Sequence, residues 1–134
     1  MITKHFTLDE ANSLLPFINQ ELTFLQTLKR EFQAKYLELK RKKHAYNEIK
    51  QGSFEQDPFF LLETELEFMQ IDAKNHMNSV ELKGIELKDI DMGLVDFPAI
   101  YKNAEVLLCW RQGEGSIGFY HSREDGFSGR QAIE

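Results

Sequence analysis

Apolar residues recur through the first part of the chain at Leu15, Ile18, Leu22, Leu25, Phe32, Tyr36 and Leu39, in steps of three, four or seven. That period puts them on one stripe of a long helix. Its start is marked by Thr7-Leu8-Asp9-Glu10, a capping box in which Thr7 accepts from the Glu10 amide and Glu10 reaches back. Phe6 is placed to staple onto Ala11, and Pro16 falls early enough to kink the helix without ending it. The pattern fades near Tyr46–Ile49, and Gln51-Gly52-Ser53 breaks it. Asp57-Pro58 predicts a second helix, as cap and first-turn proline. Leu61, Leu62, Leu66, Met69, Ala73, Met77 and Val80 form its inner face, and Gly84 is its stop. A short break between two long amphipathic helices predicts an antiparallel hairpin.

After Gly84 the period falls to two. Ile85, Leu87 and Asp89 alternate with Glu86, Lys88 and Ile90, Asp91-Met92-Gly93 turns the chain, and Leu94 to Ala99 reads as extended. Pro98 confines that segment to a sheet edge or an irregular position. Glu105–Gln112 and Ile117–His121 read as a β-hairpin turning at Glu114-Gly115. Its expected register sets Gln112 opposite Ile117, Trp110 opposite Phe119 and Leu108 opposite His121. Arg111 then faces Gly118, and Cys109 faces Tyr120. The expected fold is α+β: one domain over 1–134, with a helical hairpin over 1–84 and a small antiparallel β module over 85–134 packed on it.

Charge narrows the partners. The net charge of −6 opposes a polyanion as main partner. Between Lys29 and Lys50 lie eight Lys or Arg and three Glu, including the run Lys40-Arg41-Lys42-Lys43-His44. A nucleic-acid patch is one reading of that run. Six acids without a Lys or Arg, from Glu55 to Asp72, belong to the other arm of the hairpin. The two blocks are expected to lie side by side and neutralise each other, which disfavours nucleic acid. A single Cys109 cannot form an internal disulfide, and no apolar run approaches a membrane span. The expectation is a cytoplasmic protein with no membrane contact.

Glu63 with Glu67, and Asp72 with His76, share helix faces at i,i+4 spacing, but the first helix supplies no matching Glu-x-x-His. No metal site and no cofactor are expected in the chain. Ser116 and Ser122 have no nucleophile-elbow setting, and Cys109, in mid-strand, reads as a structural thiol. Gly113-Glu114-Gly115 and Gly126-Phe127-Ser128-Gly129 read as turns, lacking the strand–loop–helix setting of a phosphate cradle.

The strings Gly93-Leu94-Val95-Asp96-Phe97-Pro98-Ala99, Trp110-Arg111-Gln112-Gly113-Glu114 and Gly126-Phe127-Ser128-Gly129-Arg130 follow the opening Phe6-Thr7-Leu8-Asp9-Glu10-Ala11-Asn12. In combination they resemble a family of short bacterial proteins known only as a conserved domain of unknown function. The resemblance spans essentially the whole chain. It implies a helix-rich cytoplasmic bacterial protein and carries no catalytic residues with it. Tyr120 precedes His121 where that family often has Trp.

Asp96, Arg111, Glu114, His121 and Arg130 are polar residues within or beside apolar segments, and are the candidates for a binding site. Arg111 opposite Gly118 has room to lie across the sheet and pair with Asp96 or Glu114. The expected register turns His121 to the Trp110 face, away from Arg111, and so weakens an Arg-plus-His anion pocket. Arg130 is free to fold onto either face. Two functions follow. The first is a non-enzymatic interaction or scaffold module, open to other protein partners, that self-associates as a homodimer through helices too poorly covered on their own. The second is a small-molecule or anion binding protein, or an enzyme, using that polar site. Convergence of the polar groups on one pocket is what separates them.

Overall fold

The structure, a computed structural model, describes residues 4–49 and 58–134. Helix α1 spans Leu8–Ser13, α2 Leu15–Ile49 and α3 Phe60–Leu82. Five strands follow: β1 Glu86–Asp89, β2 Leu94–Tyr101, β3 Ala104–Arg111, β4 Phe119–His121 and β5 Gln131–Ala132. They form one antiparallel sheet in the order β1-β2-β3-β4-β5. The fold is α+β, a long pair of helices followed by an antiparallel sheet.

The capping box is present as read: Glu10 N donates to Thr7 Oγ1 at 3.1 Å, and Thr7 N donates to Glu10 Oε1 at 2.9 Å. The first helix is not merely kinked near Pro16: α1 ends at Ser13 with Leu14 as its C-cap, and α2 starts at Leu15. Proline has no N–H to give back to Asn12, so the ladder lapses there. Phe6 and Ala11 both enter the core, and Phe6 sets its edge on Phe97 at 5.3 Å.

The core lies between the sheet and the near ends of the helices. Val95, Phe97, Ala99, Val106, Leu108 and Trp110 line one sheet face and meet Leu15, Ile18, Leu22 and Val80. Gln26 ties α2 to the sheet, donating to Ile90 O and Gln112 Oε1 at 2.8 and 2.7 Å. Further out, α2 and α3 pack mainly on each other. At about 1.5 Å per residue, α2 is roughly 50 Å long, so its far half extends beyond the sheet.

Three expectations for the helices change. Tyr36 and Leu61, assigned to inner faces, are 46% and 69% exposed. Tyr36 instead lies outside with the Lys40 ammonium 5.6 Å above its ring. Pro58 precedes α3 in a turn, and the helix starts at Phe60 after an N-cap at Phe59 that has no side-chain cap. Asp57 and the break at Gln51-Gly52-Ser53 lie outside the described residues. The acidic and basic blocks do neutralise across the hairpin: Lys35 pairs with Glu65 at 2.8 Å and Lys43 with Glu63 at 3.0 Å. His76 joins Glu21 of α2 to Asp72 of α3 and stacks on Phe24 at 4.0 Å.

Pro98 sits within β2, at a stretch left open on one side because β1 pairs only as far as Asp96. The N and O of one strand residue point the same way, and Pro98 O accepts from Phe6 N at 2.7 Å. The missing N–H therefore faces the start of the chain and not a ladder partner. Among the described residues, no helix is long and apolar enough to cross a membrane.

Candidate functional site

The β3–β4 register differs by one residue from the expected one, and this decides the site. Leu107 lies opposite His121, Leu108 opposite Tyr120 and Cys109 opposite Phe119. A slip of one turns every side chain to the other face. The cause is in the connection. A turn closes early, with Glu114 N on Arg111 O at 3.0 Å and Gly113 at φ +107°. Glu114 holds it from both ends: its carboxylate accepts from Arg111 N at 2.8 Å, and its carbonyl accepts from Trp110 Nε1 at 2.9 Å. The Ile117 amide, expected to face Gln112, donates instead to the Asn12 side chain at 2.8 Å. Residues 112–118 therefore make a wide loop, and β4 starts only at Phe119.

His121 consequently shares the sheet face of Cys109 and Asp96, the face turned away from the helical core. All three side chains are buried, with Asp96 and His121 only 3% and 2% exposed. One ligand atom from each lies within 4.8 Å of the others. His121 Nδ1 is 2.7 Å from Ser122 O, and Nε2 is 3.2 Å from both Asp96 oxygens. A carbonyl only accepts, so Nδ1 carries the proton given to Ser122. Nε2 then faces a carboxylate, and the pair is satisfied only with a second proton between them.

Burial pushes the Asp96 carboxyl above its ordinary value, against the opposing pull of His121. The Cys109 thiol is pushed up to about 12, first by burial and then by the neighbouring Asp96 charge. Cys109 and His121 thus both converge on Asp96. No hydrogen bond links thiol to imidazole, so His121 is not placed to take the Cys109 proton. The arrangement is not a nucleophile–base pair, and a thiol held protonated is a poor nucleophile.

A cavity of about 170 Å³ opens beside the three side chains, walled by Lys88, Leu94, Leu107, Arg123, Gly126 and Phe127. Its two cations are occupied by one carboxylate. Arg123 reaches Glu86 through two bonds of 3.0 and 2.9 Å, and Lys88 reaches it at 2.9 Å.

The remaining candidates go elsewhere. Arg130 folds onto the same sheet face but pairs with Glu114, its Nη2 2.9 and 2.7 Å from the two oxygens. Its guanidinium lies 4.0 Å over the Phe119 ring and 4.7 Å over that of Phe127. Arg111 is exposed, pairs with neither Asp96 nor Glu114 through its side chain, and lines a separate depression with Gln26, Lys29, Arg30 and Asp91. The five candidates therefore fall into three places: Asp96 with His121, Glu114 with Arg130, and Arg111 alone. The residue missing from them is Cys109. Its spacing of two from Arg111 and its alternation with Trp110 put it on the outer face, but only the correct register brings His121 to it.

No curated protein and no solved structure matches the chain. The family described as Uncharacterized conserved protein (DUF2203) matches residues 4–133, and the chain belongs to that family.

Proposed function

We propose that this protein is a non-enzymatic interaction module of the cytoplasm, which self-associates as a homodimer through the outer face of α3. The observation that carries this reading is a second apolar stripe on that helix. Leu62, Leu66, Met69, Ala73, Met77 and Val80 face α2 and the core side. Phe60, Leu61, Phe68, Ile71 and Leu82 fall within roughly 100° of one another on the opposite side. They are 67%, 69%, 66%, 56% and 87% exposed. A helix apolar on two faces is expected to be covered on both.

The spacing favours a second copy of the chain as the cover. Ile71 lies midway along the outer stripe, with Phe60 and Leu82 at its ends, eleven residues either side. Two α3 helices packed antiparallel about a twofold axis at Ile71 would bring Phe60 against Leu82 of the second copy. The same packing sets Glu67 beside Lys74 of the second copy, an ion pair on the flank of the apolar contact. Three further facts fit a scaffold role. The polar candidates of the sheet do not gather into one pocket, Cys109 lacks a base, and the basic run of α2 is partly spent on α3.

Size-exclusion chromatography with light scattering tests the reading. Wild type is expected to run as a dimer, and Phe68→Ser with Ile71→Ser as a monomer of unchanged helix content. Glu67→Lys should weaken the dimer, and adding Lys74→Glu should restore it. A strictly monomeric wild type at high concentration overturns the proposal.

A further inference from the structure

The outer face of the sheet carries a feature that self-association does not use: an Asp, a Cys and a His, all buried, from three adjacent strands. Carboxylate oxygen, thiolate sulfur and imidazole nitrogen together make a donor set suited to Zn²⁺. Around a tetrahedral ion such donors stand roughly 3.3–3.8 Å apart, given metal–ligand bonds of about 2.0–2.3 Å. Asp96 and His121 already stand 3.2 Å apart, and no pair of the three exceeds 4.8 Å, so closure asks for movements of about 1 Å.

We propose that Asp96, Cys109 and His121 form a Zn²⁺ site, with the fourth coordination position open to the adjacent cavity for a water molecule or small anion. The orientation of His121 supports this. Its Nδ1–H is held by the Ser122 carbonyl at 2.7 Å, as ligating histidines are commonly held by an outer acceptor, and Nε2 is left to point at the other two donors. The strands fix the other two: Asp96 and Cys109 are direct cross-strand partners, two residues along the ladder from Leu107 and His121. Cavity and ligands coincide, so the ion would have both an entry path and a free coordination position.

Charge balance supports it as well. Without metal, the Asp96–His121 pair with the proton between them and the Cys109 thiol sum to zero. With Zn²⁺ the cluster holds a carboxylate, a neutral imidazole, a thiolate and the ion, again summing to zero, and two protons leave for one ion gained. A buried site can make that exchange without acquiring net charge, which low-dielectric surroundings would penalise.

Cobalt substitution tests the site in the intact protein. After chelator treatment and removal of the chelator, Co²⁺ is expected to bind one per chain. It should show the visible bands of a tetrahedral ion and a sulfur-to-cobalt charge-transfer band. Cys109 is the chain's single cysteine, so that band by itself identifies the ligand. One equivalent of Zn²⁺ should abolish it. His121→Ala and Asp96→Asn should each weaken Co²⁺ binding by more than about tenfold where circular dichroism shows the fold retained. If folded wild-type protein gives no charge-transfer band at millimolar Co²⁺, the site does not exist. Survival of the same spectrum in Cys109→Ala would overturn it equally.

Discussion

The two ends of the helical hairpin obey one sequence rule and meet different fates. Near the sheet, Ile18, Leu22 and Val80 are fully enclosed because strands β2 and β3 cover the stripe. Toward the far end Tyr36, which keeps the same spacing, is exposed, and so are Leu37, Leu61 and Phe68, which lie off the inner stripes. Periodicity specifies which residues want burial. Whether they obtain it depends on how far the covering layer extends.

Two phenylalanines put this contrast to a direct test. Phe97 is 0% exposed and Phe68 is 66% exposed. Phe97→Ala should cost about 3–5 kcal/mol in chemical denaturation, through lost burial and the cavity left behind. Phe68→Ala should stay within about 0.5 kcal/mol when measured on monomer at high dilution. Similar losses at both positions would erase the distinction between the two regions.

A smaller effect sharpens the near side, where the turn before β2 meets the loop after β3. Gly93 has φ +69°, and a Cβ there would stand 2.5 Å from Gln112 Cβ. Its carbonyl meanwhile accepts from Gln112 N at 2.8 Å, so the loop cannot simply back away. Gly93→Ala should therefore cost about 2 kcal/mol, from strained backbone and crowding together. A neutral result in thermal melts would show that this junction is looser than its contacts.

The smallest effect is one of pH. Hydrogen bonds from Arg123, and after them Lys88, hold the Glu86 carboxyl below its ordinary value despite partial burial. A depressed carboxylate contributes stability that is complete above its unfolded pKa and is lost as pH falls through the folded one. The stability difference between wild type and Glu86→Gln should be constant near neutrality and shrink in acid. A difference that grows in acid would refute this sign.

Much of the fold could be read from local signals. The Thr7–Glu10 cap, the stop at Gly84 and the change of period beyond it each depend on residues a few positions apart. The strand register could not be read that way. It depends on Asn12 capturing the Ile117 amide across 105 positions, and on Glu114 folding back on Arg111 and Trp110. From that single displacement follows the misplacement of His121 and the neglect of Cys109. Leu61 and Tyr36 failed for different reasons. Tyr36 fits the inner stripe by spacing but has no third layer at that end to cover it, while Leu61 falls roughly a third of a turn off the inner stripe of α3.

The bond from the Phe6 amide to the Pro98 carbonyl has a further consequence. Beyond Asp96 the flank of β2 is where a foreign strand would dock to seed cross-molecular pairing. Such a strand would find one acceptor already engaged and, at Pro98, no donor to offer. The start of the chain thus acts as a stopper against runaway polymerisation, and trimming it back past Phe6 would uncork that flank.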